Sequence, residues 1–187
     1  MNWNRALREQ WEWHWNHQVR ARLDGLTDDE YFWSPGPGEA WNVRKRGTGT
    51  APVQAGTGAY TIDFAFPQPT PPPFTTIAWR LGHVIVGVLA ARNASHFGAE
   101  PADYESWEYA GDAKSALDQL DTQLGVWTAG VRGLSEEALA VPVGDTEPYP
   151  DAPMADLVLH IHRELIHHLA EVTLLRDLYL HTNGAPR

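Results

Sequence analysis

The sequence predicts an all-α protein, a four-helix bundle with a long, partly extended crossover between helices one and two. Four segments carry apolar residues at helical spacing, and each is long enough to be one helix of a bundle. A stretch rich in proline and glycine, residues 34–74, separates the first segment from the second. The 187 residues, 43% of them hydrophobic, suit one domain over residues 1–187 with a sizeable core.

Helix one is predicted from about Trp3 to Leu23, where apolar residues recur every three or four positions. The following LTDDEYFW predicts a turn or a short helix with Thr27 as its cap. Within residues 34–74, AYTIDFAF alternates in polarity and predicts one or two short strands. A connection this long is unusual in a compact domain, so we expect it to cross the molecule and to line a site.

Helix two is predicted to begin at Thr75 or Thr76, with the hydroxyl as its cap, and to continue through TTIAWRLGHVIVGVLAARNASHFG. This segment is apolar nearly all round, so helix two should be the most buried. Helix three is predicted within GDAKSALDQLDTQLGVWTAGVRGL, which is amphipathic. Its apolar stripe consists of Ala113, Leu117, Leu120, Leu124, Trp127 and Val131.

Helix four is predicted from near Asp151 and Pro153 to near Gly184. Its pattern is the most informative, because polar residues fall on the apolar stripe. At about 100° per residue, the stripe of Leu157, Ile161, Val172 and Leu175 also contains His160, Glu164, His168 and Glu171. A buried carboxylate must be paired, protonated or bound to a cation.

Two of these polar residues have the spacing of a chelating pair. Glu164 and His168 lie at i and i+4, which places both side chains on one helix face about one turn apart. A third ligand should come from a facing helix, and helix two offers His83 near its middle. Two nitrogens and one oxygen suit zinc, nickel, iron(II) or another divalent ion with open coordination positions.

Each of these residues also has a simpler interpretation. A lone histidine such as His83 is more often a hydrogen-bonded core residue, and Glu164 with His168 can form a hydrogen bond within one helix. The three together on two helices favour a metal. His160, His167 and Glu171 are then candidates for a general base or for partners that orient a ligand.

The segments HIHRELIHHLAEVTLLRDLYL, TTIAWRLGHVIVGVLAARNASHFG and LDGLTDDEYFWSP together resemble the DinB-like superfamily of metal-binding four-helix bundles. In that family a histidine of helix two joins two ligands at i and i+4 on the last helix. The mycothiol-dependent isomerase branch uses Glu and His for this pair, which Glu164 and His168 match, with His83 as the third ligand. Other members carry His-x-x-x-His, so a set that contains His160 stays open.

The resemblance implies a function as well as a metal site. The superfamily includes S-transferases that use mycothiol or bacillithiol, among them mycothiol-dependent maleylpyruvate isomerase. The implied chemistry is a thiol activated at a divalent metal, zinc or nickel, and directed at a small-molecule electrophile. A metal-dependent hydrolase is the alternative, because metal-bound hydroxide is also a nucleophile. A bundle that binds metal or a small molecule without turnover is a third interpretation.

Composition limits the partners. A net charge of -10 argues against nucleic acid or an anionic membrane surface as the main partner. No apolar run reaches the length of a membrane span, and no signal peptide is visible, so the expected location is the cytoplasm. With zero cysteines, any metal must be held by His, Asp or Glu.

Helix four also has a second apolar stripe, which consists of Leu159, Ile166, Leu169, Thr173 and Leu180. We expect this stripe to be covered either by residues 34–74 or by a second copy of the chain in a homodimer.

Overall fold

The computed structural model of the protein describes residues 2–183, which form six helices and a small three-stranded sheet. The mostly helical fold confirms the predicted class. The prediction of one or two short strands was too low, because the structure has a sheet of three. No helix within residues 2–183 combines the length and the apolar character that a membrane span requires.

Helix α1 covers residues 3–23 and consists of α-helical Trp3–His14, π-helical Trp15–Val19 and α-helical Arg20–Leu23. Its length agrees with the prediction. The short helix α2, Asp28–Tyr31, follows and is capped by Thr27, whose hydroxyl accepts from the Glu30 backbone N–H. The Glu30 side chain bonds back to the Thr27 backbone, so the two residues form a capping box.

Glu30 also ties α2 to the end of the chain. Its carboxylate accepts from Nε of Arg176 at 2.8 Å, and Glu30 is 2% exposed. Burial acts to raise the pKa of Glu30, but Arg176 and the Thr27 hydrogen bonds outweigh it and hold the pKa below its usual value. The carboxylate is therefore charged and paired.

The crossover contains an antiparallel sheet of β1 (Val43–Lys45), β2 (Val53–Ala55) and β3 (Tyr60–Phe64), in the order β1-β3-β2. The register pairs Val43 with Ile62 and Ala55 with Ile62, which buries these three side chains together. The sheet packs against the first turns of the next helix. The strands are short and flanked by glycines, which explains why two of them left little signal in the sequence.

Helix α3 covers residues 77–97, as α-helical Ile77–His83, π-helical Val84–Ala90 and α-helical Ala91–Phe97. Thr76 caps it by accepting from the Trp79 backbone N–H, as predicted. It ends at Gly98, which has the left-handed φ of 68° that favours glycine. Most of its side chains are buried, in agreement with the prediction.

Helices α4 (Ala113–Gly133), α5 (Glu136–Leu139) and α6 (Met154–Asn183) complete the fold. The predicted end of α6 near Gly184 lies outside the described residues. Both α1 and α3 pack against α4 and α6. One cluster of buried apolar side chains lies between these four long helices.

The buried arc of α6 is wider than predicted. Leu169 and Thr173, assigned to the outer stripe, are buried, whereas Leu159, Ile166 and Leu180 are exposed. The reason is that α6 packs against α1 as well as α3, so it buries two neighbouring faces. The crossover does not cover the exposed part of the stripe.

Candidate metal site

His83 lies on α3, where the helix changes from α-helical to π-helical. Its ring stacks on Trp79, with the two planes 14° apart. Burial lowers the pKa of His83 to about 4, and the neighbouring His168 and Arg80 act in the same direction. The imidazole is therefore neutral at pH 7, and a neutral ring is the form that binds a metal ion.

His168 is buried on α6, and a neighbouring carboxylate holds its ring. Nδ1 lies 2.8 Å from Oε2 of Glu171. An ionised carboxylate can only accept, so Nδ1 carries the proton and donates to Glu171. In the neutral ring the lone pair is then on Nε2, which lies 3.4 Å from Oε2 of Glu164.

The structure places His168 between the other two predicted ligands, with His83 on one side and Glu164 on the other. The rings of His83 and His168 are perpendicular, at 89°, with their centroids 4.7 Å apart. Glu164 lies one turn before His168 on the same helix face, and its side chain is about one quarter exposed. The arrangement offers two imidazoles and one carboxylate from two facing helices.

The ligand atoms that meet most closely belong to a different group, which shares His168 with the predicted set but contains neither His83 nor Glu164. Within residues 2–183, His167, His168 and Glu171 place one ligand atom each within 4.8 Å of one another. In this group His167 is exposed, and its Nε2 is 3.6 Å from Oε1 of Glu171. All three residues come from a single helix, and Glu171 already accepts from His168.

Arg80 also engages Glu171. Its Nη1 lies 3.1 Å from Oε2 of Glu171, and its guanidinium lies over the Trp79 ring, 5.3 Å from the centroid. A cation at this position neutralises Glu171 and favours its role as a hydrogen-bond partner of His168 over a role as a metal ligand. Arg80 was not predicted from the sequence. It lies three residues before His83, so the two side chains are neighbours on one face of α3.

The two remaining candidates, His160 and His167, have different surroundings. His160 accepts from Nη2 of Arg163 at 2.5 Å and lies 3.6 Å from Oε1 of Glu164. It lines the cavity described below. His167 instead lines an apolar groove between α1 and α6, together with Trp3 and Ile166.

A cavity of about 290 Å³ opens beside two of the three predicted ligands, His83 and Glu164, whereas His168 does not line it. His83 and Glu164 form part of its wall, with His160, Arg92 and Tyr104. The Tyr104 hydroxyl lies 2.6 Å from Nδ1 of His83. Tyr104 was not predicted from the sequence, because it comes from the loop between α3 and α4, which has no apolar periodicity.

A family model described as the DinB superfamily matches residues 10–172. The chain belongs to the DinB superfamily. The matched residues include all of His83, Glu164 and His168 and most of the four long helices. No curated protein and no solved structure gave a significant match to this DinB protein. The family match confirms the resemblance seen in the sequence, whereas the thiol-dependent branch stays a prediction.

Proposed function

We propose that this DinB protein is a metal-dependent S-transferase or isomerase that uses a low-molecular-weight thiol such as mycothiol or bacillithiol. The metal is a divalent ion, zinc or nickel, with His83, Glu164 and His168 as its ligands. One observation carries the proposal: Glu171 accepts from Nδ1 of His168, which leaves Nε2 of the same ring facing Glu164, 3.4 Å away. A carboxylate behind a ligand histidine is the usual support of a protein metal site.

The donor set fits a divalent cation. Neutral imidazole and carboxylate are the ligands that zinc, nickel and iron(II) accept, and three protein ligands leave open coordination positions. A cation bound there would lower the pKa of a thiol or of a water molecule at those positions. The low pKa of His83 also supports its role as a metal ligand. At pH 7 the ring is neutral, so a metal ion does not have to displace a proton to bind it.

The residues of the cavity wall supply the remaining roles. The chain has no cysteine, so a sulfur nucleophile must come from a bound thiol. His160 lines the cavity beside Glu164 and is our candidate for the group that accepts the thiol proton, which Nδ1 would take up in place of its hydrogen bond from Arg163. Glu171 orients His168 through Nδ1. His167 faces the groove on the far side and has no role in this proposal.

Hydrolysis is the second candidate. The same three ligands and the same cavity would serve a water molecule as well as a thiol, and the small cavity volume of about 290 Å³ favours a small nucleophile. A metal-binding bundle without turnover is the third. Activity assays with and without thiol separate the three.

The proposal is tested with the metal-loaded protein, a panel of low-molecular-weight thiols and a chromogenic electrophile. We expect thiol-dependent turnover that is lost on chelation and in His168→Ala. His17→Ala is the matched control, because His17 is exposed on α1 and its ring bonds to the Trp13 carbonyl of the same helix. Turnover of an activated ester without thiol would favour the hydrolase. Absence of turnover in both assays would contradict an enzymatic role.

We further propose an architecture, a location and an oligomeric state for the protein. The four long helices form a four-helix bundle, residues 1–187 form one domain, and the protein acts in the cytoplasm. A homodimer is supported by exposed apolar side chains that line an open groove of about 650 Å³ between α1 and α6. Trp3, Leu159 and Ile166 are among them.

A further inference from the structure

We propose that Tyr104 is a positioning residue of the metal site, and that Gly87 is the residue that admits it. The Tyr104 hydroxyl holds the His83 ring by Nδ1, so that Nε2 is the atom left for the metal. The inference rests on the proposed function, because it assigns a role toward the ion that His83 would bind.

The contact between the two side chains is short and well aligned. Oη of Tyr104 lies 2.6 Å from Nδ1 of His83, and the two rings are within 8° of parallel. Trp79 lies nearly parallel to the same imidazole. The His83 ring is thus fixed by a hydrogen bond at one nitrogen and by aromatic neighbours, which removes the rotational freedom that a ligand would otherwise lose on binding.

Gly87 makes this approach possible. It lies one turn after His83 on α3, inside the π-helical run Val84–Ala90. A methyl carbon built on Gly87 would overlap the Tyr104 hydroxyl oxygen and would lie 3.3 Å from Nδ1 of His83. Glycine within a helix costs about 1 kcal/mol relative to alanine. A glycine at position 87 is therefore explained by packing, because the Tyr104 ring occupies the space that a side chain would fill.

The loop that carries Tyr104 is itself held in place. The Tyr109 hydroxyl donates to the Tyr104 carbonyl at 3.2 Å. The Asp103 carboxylate accepts from the backbone N–H groups of Glu105 at 3.0 Å and Ser106 at 2.7 Å, which closes a turn around Tyr104. The phenol is presented to His83 by a turn with fixed hydrogen bonds.

The hydrogen-bond direction follows from the ligand atom. If Nε2 of His83 binds a metal ion, the proton of the neutral ring is on Nδ1, which then donates to Oη of Tyr104. The phenol proton is left to point elsewhere, and Tyr104 lines the cavity beside Glu164. Removing the hydroxyl therefore removes the acceptor that fixes the tautomer of His83.

The test compares Zn²⁺ affinity, measured by competition with a chromogenic chelator, in the wild type, Tyr104→Phe, Gly87→Ala and the double variant. We expect Tyr104→Phe to weaken Zn²⁺ binding by about 10- to 100-fold, the usual effect of losing an outer partner of a ligand histidine. Gly87→Ala should cause a similar loss by displacing the phenol. The double variant should be no weaker than either single variant, because both remove one contact.

Tyr31→Phe is the matched control. Tyr31 is buried away from the site, and its hydroxyl donates to the Ala110 carbonyl at 3.3 Å. It should leave Zn²⁺ affinity and the absorption spectrum of the Co²⁺-substituted protein unchanged, whereas Tyr104→Phe should alter both. If Gly87→Ala fails to fold, the Zn²⁺ affinity and the Co²⁺ spectrum of Tyr104→Phe alone decide whether Tyr104 positions His83.

Wild-type Zn²⁺ affinity and an unchanged Co²⁺ spectrum in Tyr104→Phe, with loss of binding in His83→Ala, would overturn the role of Tyr104 and leave the proposed function standing. Wild-type affinity in His83→Ala as well would overturn the metal site and this inference together.

Discussion

The imidazoles of His83 and His168 meet edge to face, with ring centroids 4.7 Å apart, although the two residues come from different helices. Each ring is held by Nδ1: His83 by the Tyr104 hydroxyl and His168 by the Glu171 carboxylate. Two neighbouring histidines whose Nδ1 atoms are already engaged each keep Nε2 as the nitrogen that can bind a metal ion.

Two alternative ligand sets can be separated by mutation. If Glu171 orients His168, His167→Ala should leave Zn²⁺ affinity unchanged, and Glu171→Ala should weaken it by about 10- to 100-fold. If His167, His168 and Glu171 are the ligands, both variants should abolish binding. Isothermal titration of the metal-free proteins with Zn²⁺ measures the difference. Strong loss of affinity in His167→Ala would rule out the set proposed here.

The buried pair of Glu30 and Arg176 should contribute strongly to stability. Arg176→Met leaves the Glu30 carboxylate buried without its partner, so we expect the free energy of unfolding in urea to fall by about 3 to 5 kcal/mol. Arg22→Ala is the control, because Arg22 forms an exposed ion pair with Asp177 between the same two parts of the chain. It should cost less than about 1 kcal/mol. Equal losses in the two variants would contradict the assignment.

His162 should make the protein less stable in acid. Its ring stacks on Trp11 and meets Trp127 edge to face, and burial lowers the pKa of His162 to about 4 from an ordinary value of 6.5. Between these values the unfolded chain binds the proton and the folded chain does not. Stability from this residue is therefore complete above pH 6.5 and is lost as the pH falls to about 4, by at most about 3 kcal/mol.

His162→Gln provides the measurement for this prediction. Glutamine keeps hydrogen-bonding groups but does not titrate, so the difference in unfolding free energy between wild type and variant should shrink from pH 7 to pH 4. A difference that stays constant over this range would show that His162 does not titrate between the two states.

The exposed apolar groove between α1 and α6 predicts self-association. Sedimentation equilibrium at micromolar concentration should give a dimer for the wild type. Ile166→Lys places a charge in the groove and should give a monomer with an unchanged melting temperature, because Ile166 is 38% exposed in one copy. Arg163 also lines the groove, so Arg163→Lys keeps the charge there and serves as the control. A monomeric wild type would contradict the prediction.

The helices and their caps were predictable because their signals are local. Thr27 and Thr76 each lie directly before a helix, and the apolar spacing that follows them fixes the helix type. The bounds of the long helices therefore differ little from the sequence prediction. The strands Val43–Lys45 and Val53–Ala55 have three residues each, too few for an alternating pattern to stand out.

The surroundings of the site were less predictable. His83, Glu164 and His168 were found because polar residues interrupted apolar stripes. Tyr104 was missed because its contact depends on a loop that folds back onto α3, and loop conformation leaves no periodic signal. The burial of His162 was not predicted, because the sequence analysis assigned a single core-facing stripe to α6. In the structure α6 packs against both α1 and α3 and therefore buries a wider arc.

The most direct test of the account is the position of the metal ion in crystals of the Zn²⁺-loaded protein, located by anomalous scattering at the zinc edge. The account predicts one ion per chain, bonded to His83, Glu164 and His168. No bound ion, or an ion held by His167 and Glu171 with His83 left free, would contradict it.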